Sequence, residues 1–484
     1  VTKSVRLQKR EKRIVIRGGC LFGMPTSTRR DIVPMSLFAL AWPIAIETLL
    51  QFLMGTVDSL MVSRLGDNAV SAVGLSNQVL QSIMTIFVLI NGGAGIVIAR
   101  HWGAGSPDTA RRASAMALKA GIIGGALLSL LFAFGSGEIV HLMQTPAEVA
   151  PDAIMYMTIV GSCVIITELN MMMTSMIRST GNTRTPMLIA IGMNAVHLVL
   201  NYGFIFGALG LPKLGIVGIG ISTIVSRLLA LLISIWVLNG AFQQRFQRSD
   251  WRGFDRAILK EMVAIGLPNL GTAASWGYSQ IVQLSIVSSL GAISLAAYSY
   301  TNVIQQLPWL IGSSLGMAAQ IQCSQLYGGK RYDAAYRSPY RAAAVGIPLA
   351  LGLAALVFSF GREALGWFTS DEQVITKALP LLLMCLIWQP MRTWTYAITQ
   401  TLNAVGEAKF AALNTVIGMW LFATGGAYVF GVLAGWGIVG VLAGLMIDEL
   451  YRAVLVGWRW GRRRKLPREQ ALIIPALRNG GVTG

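Results

Sequence analysis

Long apolar stretches recur along the chain from about residue 33 to residue 458. Most hold about 18 or more residues with few charges, which is the length that an α-helix needs to cross a bilayer. The strict alternation of an outer-membrane barrel is weak throughout. The pattern predicts an all-α integral membrane protein with twelve transmembrane helices, at about residues 36–63, 69–99, 113–134, 153–177, 187–207, 215–238, 261–290, 294–321, 340–360, 376–403, 410–432 and 437–458.

The pattern is written twice, and the second copy follows the first at a constant offset (268 − 43 = 225 residues). This offset relates Pro43 in LAWPIAI to Pro268 in AIGLPNL, and it relates Gly181 to Gly406 without any gap. Internal repeats of this kind are typical of transporters. Six spans per copy give both copies the same orientation, so we expect two six-helix lobes related by a pseudo-twofold axis along the membrane normal.

The duplication and the charges divide the chain into five segments. They are a basic tail (1–30), an N-lobe with helices 1–6 (31–240), a linker (241–260), a C-lobe with helices 7–12 (261–460) and a second basic tail (461–484). Most of the 39 Lys and Arg residues belong to tails and loops on one side of the predicted membrane. The positive-inside rule places that side and both termini in the cytoplasm, which predicts the inner membrane of a prokaryote.

Composition narrows the class further. Of the 484 residues, 54% are hydrophobic and 12% charged, and the mean hydropathy is +0.61, whereas soluble domains carry about 25% charged residues. The net charge is +18, and residues 1–30 alone hold nine Lys or Arg against one acid. Because the basic tails flank membrane segments, membrane topology and contact with anionic lipids explain them better than nucleic-acid binding does.

Residues that carry redox or metal chemistry are few and scattered. The four Cys residues form neither a metal-binding spacing nor a disulfide framework, and the three His residues lie far apart in sequence. No Ser–His pair or metal-ligand spacing indicates an enzyme. The N-terminus lacks a compact apolar run with a cleavage site, so no removable signal peptide is expected. We predict a transporter without a cofactor that works as a monomer.

The first span carries a polar stripe. Glu47 and Asp58 are eleven residues, or three helical turns, apart, so they share one face with Gln51 and Met54 between them. A carboxylate at the centre of a span costs about 2.5–3.5 kcal/mol on insertion scales, so it calls for a reason. The functional interpretation is a cation or proton site at Asp58 and Glu47, and the alternative is a buried hydrogen-bonded pair that joins helices.

Two further spans of the first half hold polar candidates. Asn194, His197 and Asn201 share a face of the fifth span, and His197 is able to titrate near neutral pH. Simple hydrogen bonding between helices is the competing interpretation. In the fourth span Glu168 is followed by a Met-rich face that would suit loosely specific apolar ligands or serve as packing. The substrate-binding candidates of this half are Gln51, Met54, Glu168, Met172, Met176 and Asn194.

The second half does not repeat the buried acids. Asp58 corresponds to Gln283 (58 + 225 = 283), and the middle of the tenth span contains one base, Arg392. Aromatic and amide side chains in this half offer stacking and hydrogen bonds to a drug-like ligand, although an interfacial aromatic belt would use the same Trp residues. The substrate-binding candidates here are Trp276, Gln280, Gln283 and Asn302. Three charged residues of the last span, Asp448, Glu449 and Arg452, indicate a local ion pair.

Four segments together resemble the multidrug and toxic compound extrusion (MATE) family over about residues 31–460. They are WPIAIETLLQFLMGTVDSLMVSRLG, the loop HWGAGSPDTARRAS with its copy LYGGKRYDAAYRS, MIRSTGNTRTPM and HLVLNYGFIFG. The resemblance implies twelve helices in two lobes that form a V. It also implies export of organic cations or other amphipathic compounds, driven by inward movement of H⁺ or Na⁺.

The resemblance assigns roles to a few positions. Family members use the first-span acid, here Asp58, as the cation-binding or titrating group, which allows H⁺ or a Na⁺ ion at Asp58. Their fifth span often carries an Asn four residues before an acid, and here these positions are His197 and Asn201. The NorM branch also has acids in spans seven and ten, where this chain has Trp276 and Arg392. The pattern is therefore closer to DinF-like proteins, with coupling through the N-lobe alone.

These observations lead to one mechanism and two alternatives. We expect Asp58 to accept a proton from outside, which changes the helix packing of the N-lobe, releases the cargo and lets the lobes rock. A flippase for lipids or lipid-linked precursors would share the two-lobe architecture but needs a strongly basic central cavity. Away from the span ends, the spans hold only three Arg residues, Arg227, Arg392 and Arg452. A membrane-embedded enzyme is the distant alternative.

Overall fold

The computed structural model describes residues 35–241, 246–253 and 255–463, and all regular secondary structure in that part is helical. The predicted basic tails lie outside the described residues, except for 461–463. The first half contains α1 (Leu37–Val62), α2 (Asp67–Met84), α3 (Val88–Gly103), α4 (Pro107–Leu142), α5 (Ala150–Ser162), α6 (Val164–Ser179), α7 (Arg184–Phe206) and α8 (Ile216–Ala241). The second half contains α9 (Arg248–Arg252), α10 (Arg256–Ser289), α11 (Ala292–Gly328), α12 (Tyr332–Ser359), α13 (Gly361–Gly366), α14 (Glu372–Ala404), α15 (Ala408–Ile417), α16 (Gly425–Tyr428) and α17 (Gly437–Arg462).

The helices follow the twelve predicted spans. Helices α2 and α3 make one pass through a short turn at Thr85–Phe87, and α5 and α6 make another that is bent by 46°. The eleventh pass joins α15 and α16 through π-helical turns at Gly418–Thr424 and Val429–Leu433. Within the described ranges, eight helical segments are long and apolar enough to span a membrane individually, or nine with the bent pair. Several helices are longer than their predicted spans. Helix α4, for example, runs from Pro107 to Leu142, whereas the predicted span was 113–134.

Glycines that repeat at the 225-residue offset form equivalent turns in the two halves. Gly66 and Gly291 have φ of 109° and 97°, and each precedes the second pass of its half. Gly181 and Gly406 have φ of 95° and 91°, and each follows the fourth pass. Only glycine adopts these angles without a steric penalty, so the repeated glycines set the same chain reversals twice.

Each half of the chain has its own apolar core. Val62, Phe132 and Ile205 belong to a buried cluster made only of first-half residues. Val287 and Leu381 belong to a second cluster made only of second-half residues. Two separate cores are what two lobes require, because each lobe must remain packed when it moves against the other.

The lobes meet at one end of the bundle. We call the end that carries the loops around residues 100–119 and 330–341 the basic end, and the other the opposite end. Backbones touch there: a Cβ atom on Gly103 would lie 2.0 Å from the carbonyl oxygen of Gln325, and one on Gly328 would lie 1.9 Å from that of Arg100. Apolar side chains of α1 and α11, including Leu40 and Leu315, pack together at the same end.

Hydrogen bonds across the lobes repeat the internal symmetry. Arg100 Nε donates to the carbonyl oxygen of Ala404 at 2.8 Å, and Gln325 Nε2 donates to that of Ser179 at 2.9 Å. These are equivalent contacts, because the offset relates Arg100 to Gln325 and Ser179 to Ala404 (100 + 225 = 325; 179 + 225 = 404). A salt bridge of 2.9 Å from Arg100 to Glu261 adds a charged contact. The structure therefore has its basic end closed.

Candidate functional site

Three of the predicted polar residues meet in the N-lobe. Asp58 lies one turn before the end of α1, and His197 and Asn201 lie one turn apart on α7. His197 Nε2 is 3.0 and 3.1 Å from the two carboxylate oxygens of Asp58, and Asn201 Nδ2 donates to Asp58 Oδ1 at 2.9 Å. Because His197 and Asn201 share one face of the fifth span, both side chains contact the acid of the first span.

Two serines of α8 complete this cluster, and sequence reasoning missed both. The Ser222 hydroxyl donates to Asn201 Oδ1, which fixes the amide so that its NH₂ group faces Asp58. Ser226 Oγ lies 3.4 Å from His197 Nδ1 and 3.1 Å from the carbonyl oxygen of Thr223. Their spacing of four residues on α8, beside Arg227, was the only available signal. We call Asp58, His197, Asn201, Ser222 and Ser226 the N-lobe cluster.

The geometry suits His197 in either protonation state. When the ring is neutral and donates from Nε2 to Asp58, Nδ1 accepts a hydrogen bond from the Ser226 hydroxyl. When the ring is an imidazolium ion, Nδ1–H donates to Ser226 Oγ, and the hydroxyl turns to the carbonyl oxygen of Thr223. The proton positions are assigned from these partners. A rotating hydroxyl therefore accommodates a change of charge without a loss of hydrogen bonds.

Exposure within the cluster is graded. Asn201 is fully buried and the His197 side chain is 10% exposed, whereas that of Asp58 is 35% exposed. Asp58 lies one turn before the end of α1, and its carboxylate is more exposed than the two side chains that contact it. Tyr156 on α5 and Arg227 on α8 interact electrostatically with Asp58. Of these three side chains, Asp58, His197 and Asn201, that of Asp58 is therefore the most accessible.

The groups that face Asp58 are nitrogen donors rather than oxygen ligands. Asn201 turns its NH₂ group to the carboxylate and gives its oxygen to Ser222. Na⁺, a hard cation, prefers carboxylate, carbonyl and water oxygens. In the part of the chain that the structure describes, no group of three or more His, Cys, Asp or Glu side chains is arranged to hold a metal ion.

Glu47 does not join this cluster. It is 5% exposed and forms an ion pair with Arg178 on α6, at 3.3 Å from Nη1 to Oε2. The pair joins α1 to α6 near the basic end, about three helical turns from Asp58. In this structure Glu47 therefore links two helices of the N-lobe. Gln51, one turn further on, is exposed, and Met54 is partly buried.

The Met-rich face of the fourth span is packed rather than open. Glu168 is 0% exposed, and Met172 and Met176 are each 1% exposed. A Cβ on Gly121 of α4 would lie 2.7 Å from the Met172 methyl group, so the missing side chain of this glycine makes room for the methionine. In this conformation these three residues do not line a cavity, which corrects the sequence-based expectation.

Glu168 has one neutral partner. Asn91 Nδ2 on α3 donates to its two oxygens at 3.1 and 3.3 Å. Asn91 Oδ1 is itself buried and has no partner among the described residues. Asn194, another N-lobe candidate, is 8% exposed. Its Nδ2 also has no hydrogen-bond partner among the described residues.

The C-lobe candidates divide into exposed and buried groups. Trp276 is 55% exposed and Gln280 is also exposed, so neither side chain is covered by other described parts of the protein. Gln283 is 3% exposed and donates to Ser279 Oγ at 2.9 Å, so it is a packed hydrogen-bonded residue. Asn302 is partly buried and accepts a hydrogen bond from Gln305 Nε2.

The charged residues of the C-lobe confirm one prediction and raise a question. Arg452 forms salt bridges with Asp448 at 2.7 Å and Glu449 at 2.8 Å, which is the local ion pair predicted from the last span. Arg392 instead lies between two indole rings, 4.1 Å from the Trp309 centroid and 4.8 Å from that of Trp388.

Comparison with known proteins decides the family. The MatE family model matches residues 43–203 and 270–429, one match in each half of the chain. The chain belongs to the MATE family. Members of this family are transporters, so this chain is a multi-pass membrane transporter and not an enzyme.

Individual relatives agree over nearly the full length. The uncharacterized transporter YisQ of Bacillus subtilis is 31% identical over 428 residues, which cover 88% of this chain and 94% of that protein. The multidrug resistance protein PmpM of Pseudomonas aeruginosa is 26% identical over 448 residues, covering 88% and 91%. A solved MATE transporter of the MOP superfamily in an outward-facing conformation has a TM-score of 0.81 at 21% identity, covering 91% and 96%. This match confirms the predicted fold of twelve helices in two lobes.

Proposed function

We propose that this MATE transporter is a secondary antiporter that exports organic cations or other amphipathic compounds in exchange for protons. The observation that carries the proposal is the contact of Asp58 with His197 and Asn201, at 2.9–3.1 Å, in the part of the N-lobe that is remote from the basic end. The multidrug resistance names of relatives such as PmpM support the export of drug-like cargo. No comparison favours the flippase alternative.

A proton is favoured over Na⁺ as the coupling ion because of the donors around Asp58. His197 and Asn201 both present nitrogen to the carboxylate, and the amide oxygen of Asn201 is held by Ser222. A bound Na⁺ would have to displace these donors, whereas a proton is accommodated by His197 and the Ser226 hydroxyl. The acids that the NorM branch carries in spans seven and ten are replaced by Trp276 and Arg392, which supports coupling through the N-lobe alone, as in DinF-like proteins.

The proposed cycle uses the two lobes as rigid bodies. With the basic end in the cytoplasm and closed, cargo leaves and a proton enters from the opposite side. Protonation of the N-lobe cluster changes the packing of α1 against α7, and the lobes then open towards the cytoplasm. For cargo without net charge, one proton that crosses 100 mV supplies about 2.3 kcal/mol, which supports a cargo gradient of about 50-fold. For a monovalent cation the one-for-one exchange moves no net charge, and the pH gradient alone drives it. Glu47, paired with Arg178, holds α1 to α6 during this motion and does not carry the proton.

The test is export of a fluorescent organic cation in proteoliposomes under an imposed gradient of H⁺ or of Na⁺. The proposal expects the H⁺ gradient alone to drive export by the wild type, and Asp58→Asn to abolish it. Asp67→Asn, which removes an exposed acid at the start of α2, is the matched control and should export normally. Export driven by Na⁺ alone, or full H⁺-driven export by Asp58→Asn, would contradict the proposal.

A further inference from the structure

Arg392 in the C-lobe has no hydrogen-bond acceptor and no ion-pair partner among the residues that the structure describes. We propose that Arg392, between Trp309 and Trp388, binds the carboxylate or a similar oxyanion of amphipathic aromatic cargo. The cargo range would then include anions and zwitterions as well as cations. This inference rests on the proposed export function and names a class of substrate for it.

The two indole rings fix the guanidinium group in place. Trp309 comes from α11 and Trp388 from α14, so the group is held between two helices of the same lobe. Trp309 is braced by an edge-on contact with Tyr396, with centroids 5.1 Å apart. Stacking on aromatic faces leaves the edge of a guanidinium group free, and this edge carries its five N–H donors.

The nearby acids are already engaged. Arg452 binds both Asp448 and Glu449, which are 2% and 3% exposed. Neither acid lies within the 4.0 Å of Arg392 that defines an ion pair, although Glu449 interacts with it electrostatically at longer range. The four charges balance over this region, but the donors of Arg392 have no acceptor. A ligand oxyanion would supply two acceptors to such a planar fork.

Neighbouring side chains on α14 also lack partners. Trp388 is 7% exposed with an unpaired Nε1–H, and Gln389 is 1% exposed with an unpaired Oε1. Both lie within one turn of Arg392 on the same helix, so an indole donor stands beside the guanidinium donors. Buried polar groups normally have partners. The Arg392 guanidinium and the Trp388 Nε1–H are donors that suit an anion, whereas the Gln389 amide oxygen is an acceptor and does not bind one. Trp309 and Trp388 offer an apolar wall to an aromatic body.

The pattern differs from that of the N-lobe in a way that supports this assignment. The offset relates Arg392 to Thr167 (392 − 225 = 167), and in the N-lobe Thr167 accepts a hydrogen bond of 2.7 Å from Arg227. In the C-lobe the counterpart of Arg227 is Arg452, which binds its own acids instead. The C-lobe therefore has a second, unengaged base where the N-lobe has a hydroxyl.

The test measures binding to the purified full-length protein in detergent by isothermal titration calorimetry, without any ion gradient. Three probes share one aromatic body: 1-naphthaleneacetate, its neutral amide and 1-naphthalenemethylamine. We expect the carboxylate to bind the wild type about tenfold more tightly than the amide, or about 1.4 kcal/mol, and the amine to bind most weakly.

The variants locate the effect. Arg392→Gln should lose the preference for the carboxylate and keep the affinity for the amide, and Arg392→Lys should lose part of it because an ammonium group cannot form the fork. Arg362→Gln, which removes an exposed Arg paired with Glu372, should leave the preference intact. If Arg392→Gln fails to fold, judged by gel filtration, the Lys variant and the wild-type ranking of probes still decide.

The proposal is overturned if the amide or amine binds the wild type as tightly as the carboxylate, or if the preference survives in Arg392→Gln. A failure of the export function appears elsewhere, in the gradient-driven assay with Asp58→Asn. Carboxylate binding without gradient-driven export would support the Arg392 site and contradict the antiport proposal. Export without a carboxylate preference would support the antiport proposal and contradict the Arg392 site.

Discussion

At the scale of single residues, the N-lobe cluster joins groups that are far apart in sequence. His197 and Asn201 reach Asp58 across 139 and 143 residues. The sequence indicated Asp58, His197 and Asn201, because charged and polar side chains in apolar helices are rare. It could not indicate Ser222 and Ser226, because a serine in a helix usually bonds to its own backbone. Which serines also reach another helix depends on how α8 is rotated against α7.

Ser222→Ala should weaken the cluster without touching Asp58. The change removes the hydroxyl that donates to Asn201 Oδ1 and leaves a buried acceptor unpaired, which costs about 1–3 kcal/mol. We expect a lower thermal unfolding temperature in detergent and slower H⁺-driven export. Ser226→Thr retains a hydroxyl next to His197 and serves as the conservative comparison. Unchanged stability and export in Ser222→Ala would show that Asn201 does not need this hydrogen bond.

Glu168 offers a second test at this scale. A lone charge at this depth costs about 2.5–3.5 kcal/mol, and no cation pairs with it in the described part of the chain, so we expect an uncharged side chain here. Glu168→Gln preserves shape and a hydrogen bond to Asn91 and should change the free energy of unfolding by less than about 1 kcal/mol. Glu168→Ala should cost about 2–4 kcal/mol through the cavity and the unpaired amide. Chemical unfolding in detergent separates the two, and equal losses would contradict this account.

At the scale of elements, the positions of the spans were predictable from the sequence. Which residues share a helix face was also predictable, but what each face contacts was not. The spacing of Glu168, Met172 and Met176 correctly put these residues on one face of α6. It could not say whether that face meets a cavity or a neighbouring helix, because both surroundings accept apolar and amide side chains. The decisive feature was Gly121 on α4, which makes room for Met172. The turns at Gly66 and Gly291, in contrast, are equivalent because the two glycines are related by the 225-residue offset.

The short helix α9 in the linker is held to α4 by charge. Arg111 Nε donates to Asp250 Oδ2 at 2.7 Å, and the backbone N–H of Gln247 donates to the same oxygen at 2.8 Å. Burial alone raises the pKa of Asp250, but these hydrogen bonds outweigh it and hold the pKa below its usual range. Because the pKa of Asp250 is lowered when α9 packs on α4, its charge stabilises this packing fully above the ordinary Asp pKa of about 3.9. The stabilisation is lost as the pH falls below that value.

We therefore expect hydrogen exchange of residues 246–253 to remain slow from neutral pH down to about pH 5, once the intrinsic pH dependence of exchange is corrected. Asp250→Asn should speed exchange in this segment at all of these pH values. Asp255→Asn, which changes the N-cap of α10, is the control for a charge lost from the same linker. Protection that disappears already near pH 6 would contradict the lowered pKa.

At the scale of the whole molecule, the duplication explains how one chain closes its basic end. Equivalent contacts from the two halves, Arg100 to Ala404 and Gln325 to Ser179, lie side by side. Glycines allow the backbones to touch at Gly103 and Gly328. The sequence predicted two lobes from the repeat, but it could not predict which end is closed, because both end states use the same residues.

Gly103→Ala should shift the molecule towards the state that is open at the basic end. Its Cβ would lie 2.0 Å from the carbonyl oxygen of Gln325, a distance that forces the backbones apart. Spin labels on the two lobes at the opposite end should therefore report shorter distances than in the wild type. Gly105→Ala is unsuitable as a control because of its positive φ, whereas Gly137→Ala meets no atom within 4 Å. Unchanged distances in Gly103→Ala would mean that this contact does not hold the lobes closed.

The central claim is that protons cross this transporter through Asp58 and its partners in exchange for cargo. The most direct measurement is the proton movement that a cargo gradient drives in sodium-free proteoliposomes, followed with a trapped pH dye. The account predicts that the wild type and Asp67→Asn move protons against the direction of cargo flow, and that Asp58→Asn moves cargo without protons or not at all. Proton movement by Asp58→Asn at the wild-type rate, or cargo flow in the wild type without any proton movement, would contradict it.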